Sequence, residues 1–239
     1  MTDSEDEATN PGAGVDSGVS RHLTLWLQGL LAAYLVVIAA KAITLVIAYA
    51  RFDSGTTVDD LGSIAPEALA VEYFEVLYLP IYVLLIVWTF SAHRASRTLW
   101  PYDRRWSARW AVGGWFIPLA WFVIPPKVLS EIHRIAMAEH RDGRVNSSWT
   151  EVPTSRILVT WWLAFAYATV AGGISRSVIE GEGVIPRGNR VATVQTAYAW
   201  SASANFVQIA TAALAIVFVR QVGPRLQSDV RLGRFSQGR

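Results

Sequence analysis

Four continuous apolar stretches, at about residues 23–50, 73–92, 157–174 and 198–219, constrain this 239-residue chain more than any other feature. Each is near the roughly 20 residues a helix needs to cross the hydrocarbon core of a bilayer. Backbone groups in that core find no water, so such stretches are expected to be α-helical. Composition agrees: 52% of the residues are hydrophobic and 17% charged, against about 25% charged in an average soluble domain. The 11 Trp and 8 Tyr suit rings that settle at water–lipid interfaces. An all-α, polytopic transmembrane helix bundle with four full spans is therefore predicted.

A net charge of +2 is mild, and no basic run stands clear of the apolar stretches, so nucleic acid is not expected as a partner. There is no Cys, which excludes disulfides and thiolate-held metals. Residues 1–20 carry Asp3, Glu5, Asp6, Glu7 and Asp16 among small and polar residues. Such a segment cannot bury enough surface to offset its ordering entropy, so it reads as a disordered acidic cytoplasmic tail. It lacks the basic start of a signal peptide. The helical domain is expected over residues 21–220, and residues 221–239 read as a flexible, basic cytoplasmic tail.

Between the second and third apolar runs lies Trp106–Pro126, apolar yet interrupted by Gly113, Gly114, Pro118, Pro125 and Pro126. Arginine placement decides how it runs. The first loop holds Arg51 among Asp53, Asp59, Asp60, Glu67 and Glu72, whereas Arg94–Arg109 and Lys127–Arg156 flank the broken segment with basic residues. Were the segment a fifth span, one strongly basic connection would lie outside, against the preference for basic loops on the cytoplasmic side. A re-entrant or interfacial segment keeps both connections and both termini cytoplasmic, and Gly-Gly with three prolines favours irregular backbone. Crossing stays open, because 17 residues from Trp110 to Pro126 would reach about 26 Å as a helix. Residues 127–141 then read as an amphipathic helix on the membrane surface, with Pro126 in its first turn. Lys127–Glu131 and Glu131–Arg134 have the spacing of ion pairs within such a helix. A solvated helix face covering the bundle end is the plainer alternative.

The run Ala111-Val112-Gly113-Gly114-Trp115-Phe116-Ile117-Pro118, followed by Pro126, Val128, Glu131 and Ile132, resembles the signature of domain-of-unknown-function family 4328, membrane proteins of actinobacteria. The resemblance by motif covers about Arg105–Ala136. Three departures stand out: Leu119-Ala120 leads to Trp121 where the family often has Asn, its Pro-Tyr is Pro126-Lys127, and its Trp after Glu-Ile is His133. The resemblance implies a cell-membrane location and this helical fold. It implies no reaction.

Lys41 is the one charge well inside a continuous span. An ionisable residue at membrane depth is a candidate for function. On four spans it lies in the outer half of the first, near Glu75 at the outer start of the second, where Glu75, Tyr78, Tyr82 and Thr89 share a helix face. A Lys41–Glu75 pair lined by tyrosines is one expectation; a lysine that merely reaches the outer headgroups is the other. In the last span Ser201, Asn205, Gln208, Ala212 and Ala215 recur at helical spacing. They suit a packing seam between helices, with a polar substrate path as the second reading. Arg94, Arg97, Arg104, Arg105 and Arg109, beside Trp100, Trp106 and Trp110, form a collar suited to anionic lipid headgroups, or one that only enforces topology.

His133 and His140, seven residues apart, do not have the spacing of a helical zinc pair. No phosphate-binding loop, dinucleotide fingerprint or nucleophile elbow is present, and Asn146-Ser147-Ser148 is a sequon of no consequence in a cytoplasmic loop. No cofactor, metal or catalytic residue is expected. A non-enzymatic scaffold, sensor or lipid- and partner-binding module is the leading expectation, with a homo-oligomer left open. A small transporter or channel around the broken segment is the alternative. A dry, packed centre would favour the scaffold, and a water-accessible cavity lined by Lys41, Glu75, Asn205 or Gln208 the transporter.

Overall fold

The computed structural model describes residues 18–51, 76–102, 104–117, 119–138, 140–141, 144–145, 148–180 and 190–236, to which the structural statements below refer. Helix α1 is Arg21–Ala50, α2 Tyr78–Leu99, α3 Ala108–Gly113, α4 Ala120–Met137, α5 Arg156–Glu180 and α6 Arg190–Ser236. Strands β1 (His140–Arg141) and β2 (Arg144–Val145) make a minimal antiparallel ribbon, and a 3-10 turn at Trp149–Glu151 precedes α5. Apart from that ribbon the described fold is helical, as expected.

The helices stay apolar on their outer faces. Leu25, Trp26, Val36, Ile43 and Ile47 of α1 are exposed, as are Leu163 and Val170 of α5 and Phe206 and Val217 of α6. Water would penalise so continuous an apolar surface, whereas lipid accepts it. Three helices are long and apolar enough to cross a membrane: Arg21–Ile47 in α1, Arg156–Ser177 in α5 and Val191–Gln227 in α6. Helix α2, expected as the fourth, is not among them. Residues 73–75 of its apolar run lie outside the described residues, and α2 continues into His93, Arg94 and Arg97.

Helix α6 lies along both α5 and α1, while α2 touches α1, α3, α4 and α6. Phe218 of α6 gathers Trp88 of α2, His133 of α4 and Trp161 of α5, at ring separations of 6.3, 6.1 and 5.9 Å. Beside it, Gln227 Nε2 donates to Thr24 Oγ1 of α1 over 3.3 Å. The amino ends of α1 and α5 thus meet the carboxyl portions of α2, α4 and α6. Arg94, Arg97, Arg134, Arg156 and Arg225 belong to this basic end.

The central segment starts and finishes there. His93 Nε2 donates to the Trp106 carbonyl over 2.9 Å. Tyr82, 11 residues earlier on α2 and so about 16 Å further along it, donates its hydroxyl to the Trp115 carbonyl over 2.8 Å. The chain then doubles back, and Glu131 meets Arg104 at 2.8 Å. At the reversal Leu119 takes φ 66°, a conformation that crowds an L side chain. Gly114 sits close under Ile124: a Cβ there would stand 2.6 Å from Ile124 Cγ2.

Helix α4 does not begin at Pro126, as expected, but at Ala120, with Pro125 and Pro126 inside it. Pro126 has no N–H for the carbonyl of Phe122, four residues back. Trp162 Nε1 of α5 donates to that carbonyl instead, over 2.7 Å. Trp162→Phe should therefore destabilise the protein by about 1–3 kcal/mol, the cost of an orphaned buried carbonyl. In a Pro126→Ala background, where a backbone N–H is restored, the same change should cost much less. Thermal melts of the four proteins in lipid nanodiscs measure the difference, and equal losses in the two backgrounds would disprove the link.

Two further expectations are corrected. Residues 127–141 do not form a helix with one free charged face. Helix α4 stops at Met137 and is wedged among α2, α5 and α6, burying Val128, Leu129, Ile132 and Ile135, and also Glu131 and His133. Glu131 turns to Arg104 rather than Lys127 or Arg134, and Arg134 Nη2 donates to Thr154 Oγ1. Nor is the carboxyl-terminal part, residues 221–239, a flexible tail throughout, since α6 is helical to Ser236. Val222, Gly223 and Leu226 are buried there, and a Cβ on Gly223 would lie 3.2 Å from Thr24 Cγ2. At the other terminus residues 1–17 lie outside the described residues, while Val19 is buried.

Candidate functional site

Helices α1, α2, α5 and α6 and the tip of the α3–α4 hairpin line a half-open cavity of about 920 Å³. Its aromatic side is built by i, i+4 spacing and by the hairpin. Tyr78 and Tyr82 stack at 6.2 Å on α2, Tyr34 of α1 reaches Tyr78 at 6.2 Å, and Tyr82 meets Trp115 edge-on at 5.5 Å. Trp115 in turn meets Trp162 of α5 at 6.0 Å, and Trp162 meets Phe165 at 5.1 Å. All of these rings line the cavity. Edge-to-face and offset contacts of this kind hold large rings in fixed positions.

The polar side comes from α6, with Lys41 from α1 and Arg176 from α5. Ser201, Asn205 and Gln208 line it together, and Ala212 and Ala215 of the same face line it further along. Asn205 is 4% exposed and donates its amide to its own helix at the Ser201 carbonyl, over 2.7 Å. Gln208 Oε1 accepts from the Tyr34 hydroxyl at 3.5 Å, a long contact that ties α6 to α1. Lys41 is 8% exposed. Glu75 lies outside the described residues, and with it the expected Lys41–Glu75 pair. The tyrosines expected beside that pair do line the cavity, whereas Thr89, deeper on α2, is buried and donates to the Leu85 carbonyl of its own helix.

The octapeptide motif supplies the tip. Ala111 and Trp115 are buried, Val112 packs on the core, Gly114 touches Ile124, and Phe116 and Ile117 are exposed; Pro118 lies outside the described residues. The Trp115 carbonyl is satisfied by Tyr82, but its indole N–H is buried with no partner. Irregular backbone buried away from water needs such side-chain donors and acceptors, and here Tyr82 and Trp162 donate to it. Trp161, Trp162 and Arg176 were not picked out from the sequence. For Arg176 the signal was the Thr169, Gly172, Gly173 and Arg176 spacing on α5, which places small residues and a cation on one helical stripe.

The arginine collar is only partly a surface feature. Arg94, Arg97, Arg105 and Arg109 are exposed, Arg94 lying 5.9 Å over the Phe90 ring. Arg104 is not on the collar: its side chain is 5% exposed, and its Nη1 donates to the His93 carbonyl over 2.9 Å. A carboxylate 3% exposed draws it inward, because an unpaired Glu131 there would be costly. His133 stacks on Phe218; burial, with Arg225 and Arg134 nearby, lowers its pKa.

Three long helices with apolar outer faces are the mark of a membrane-embedded helical protein. The chain belongs to the family described as a domain of unknown function (DUF4328), whose model matches residues 63–223. That span holds the motif, α2 to α5 and most of α6, and leaves out α1. No functionally curated protein and no solved structure matches the chain.

Proposed function

We propose that this is a multi-pass protein of the cell membrane that binds a ligand inside its helix bundle. In this reading α1, α2, α5 and α6 are four spans, both termini are cytoplasmic, and α3–α4 is a re-entrant hairpin. Arginines at the basic end support the orientation. The return of the segment to that end supports a dip of about half the roughly 30 Å hydrocarbon core. The observation that carries the binding function is the cavity of about 920 Å³, at the upper end of the range for ligand sites. A scaffold has no use for such a space. A carrier is the second reading, favoured by the hairpin tip at the floor of the cavity, since discontinuous helices commonly frame transport sites.

Single cysteines in the Cys-free chain test both parts. Asp59→Cys should be labelled in whole cells by an impermeant thiol reagent, and Ser147→Cys only after permeabilisation; the reverse pattern overturns the orientation. Ala204→Cys, buried but lining the cavity, should react with N-ethylmaleimide, while Ala197→Cys, buried on the same helix and not among the lining residues, should not. If both are inert, the centre is closed and the binding reading fails.

A further inference from the structure

We infer that the groove between the amino end of α1 and the carboxyl half of α6 takes the phosphate head of an anionic phospholipid, held by Arg21 and Arg220, with an acyl chain laid along the two helices. This site is separate from the cavity and does not rest on the cavity binding anything. It needs only an embedded bundle whose basic end meets a leaflet surface.

Two antiparallel helices build the groove. Thr24 of α1 meets Gly223 and Gln227 of α6, and further along α1 Tyr34 meets Gln208. A relay fixes the wall at Thr24: Gln227 Nε2 donates to Thr24 Oγ1, which donates to the Ser20 carbonyl over 3.2 Å. Beside it Arg21 and Gln28 of α1 and Arg220 of α6 line a groove of about 210 Å³. Sites for whole small molecules begin at roughly 300 Å³, so this one suits one end of a larger molecule.

Charge chooses that end. Two exposed guanidiniums on different helices converge here, and no carboxylate lines the groove among the described residues. Arg104 is committed to Glu131, whereas among the described residues neither Arg21 nor Arg220 has a hydrogen bond or ion pair. A guanidinium is a planar fork that matches two phosphate oxygens at once. An apolar lane then leads away from the basic end. Leu25, one turn on from Arg21, lines the groove and is exposed, and Gly29 follows on the same face, where a Cβ would meet nothing within 4 Å. On α6 the exposed Val217 lies one turn from Arg220. Gly29, midway between Thr24 and Tyr34, stands level with Val217, midway between Gln227 and Gln208. The absent side chain at Gly29 leaves room beside Leu25 and Val217 for an alkyl chain. A free phosphate shares the head's chemistry and has no use for the lane.

Native mass spectrometry tests the proposal, with the full chain released from detergent micelles holding phosphatidylglycerol or phosphatidylcholine of the same acyl chains. One phosphatidylglycerol should bind at least about tenfold more tightly than phosphatidylcholine. Arg21→Gln with Arg220→Gln should remove most of that advantage, while Arg94→Gln with Arg97→Gln, two exposed charges of the collar, should leave most of it. Gly29→Leu should weaken phosphatidylglycerol by filling the lane, and excess inorganic phosphate should not displace it. Equal affinity for the two lipids, or equal losses from the groove and collar variants, overturns the site in favour of diffuse attraction by the basic end. Displacement by phosphate, or parental binding in Gly29→Leu, overturns the phospholipid in favour of a free anion. An advantage that appears only when Asp3, Glu5, Asp6, Glu7 and Asp16 are replaced by Asn or Gln shows the chain's own carboxylates holding the groove, and overturns the lipid as well. None of these results depends on the reactivity of Ala204→Cys, so the cavity reading stands or falls separately.

Discussion

Replacing Glu131 with Leu is expected to destabilise the protein by about 3–5 kcal/mol, because it leaves the Arg104 guanidinium buried without its counter-charge. Arg104→Met should cost a similar amount, from the carboxylate's side. The double variant should recover most of the loss, since an apolar pair of similar volume has no charges to desolvate. The geometry favours that outcome. Arg104 Nη2 and Glu131 Oε2 are both buried without partners, so the pair is incompletely satisfied as it stands. Thermal melts of the four proteins in nanodiscs give the cycle. Two mild single substitutions that simply add would show that burial of this pair is not what fixes α4. The loss should also reach the cavity: Arg104, just beyond α2, anchors the returning arm of the hairpin at Glu131. Each single variant should therefore alter the reactivity of Ala204→Cys, and the double variant should restore it.

That pair also marks how far the sequence could be read. Apolar runs are local, so the helices of residues 23–50, 157–174 and 198–219 emerged within a few residues of α1, α5 and the heart of α6. The broken character of Trp106–Pro126 was equally local, carried by glycines and prolines. Glu131 was different. Lys127 and Arg134 stand at the spacing of helical ion pairs, and nothing within a helix turn of Glu131 announces Arg104, 27 residues away. Burial decides between them, and burial belongs to the packing of α4 among three helices. The start of α4 was misplaced for a related reason. Pro125 and Pro126 are poor helix formers alone, and the donor that makes Pro126 tolerable, Trp162, comes from α5. Ser201, Asn205 and Gln208 could be grouped from sequence, but a periodic polar face fits a tight seam and a cavity wall equally well. Only the positions of Tyr34, Trp115 and Trp162 distinguish the two.

Gly114→Val should disrupt the hairpin, while Gly113→Ala, one residue earlier, should be neutral or slightly stabilising. Both glycines belong to the motif, yet their surroundings differ. A Cβ on Gly113 meets nothing within 4 Å, and a helix-end alanine there loses less backbone entropy than glycine. A Cβ on Gly114 would meet Ile124 Cγ2 at 2.6 Å and the Trp110 carbonyl at 2.9 Å. Gly114 has an ordinary helical φ of −59°, so its requirement is for space rather than for a special conformation. Overpacking of this kind costs about 1–3 kcal/mol when neighbours yield. Here valine adds two methyls beyond the Cβ at a contact where the arms of the hairpin cross, so the upper end of that range is expected. Pairing Gly114→Ala with Ile124→Ala should relieve the clash and bring stability back above that of Gly114→Ala alone, with Ala204→Cys regaining its reactivity. If Gly114→Val melts with the parent protein, the arms are not in contact, and the tip that forms the cavity floor must lie elsewhere.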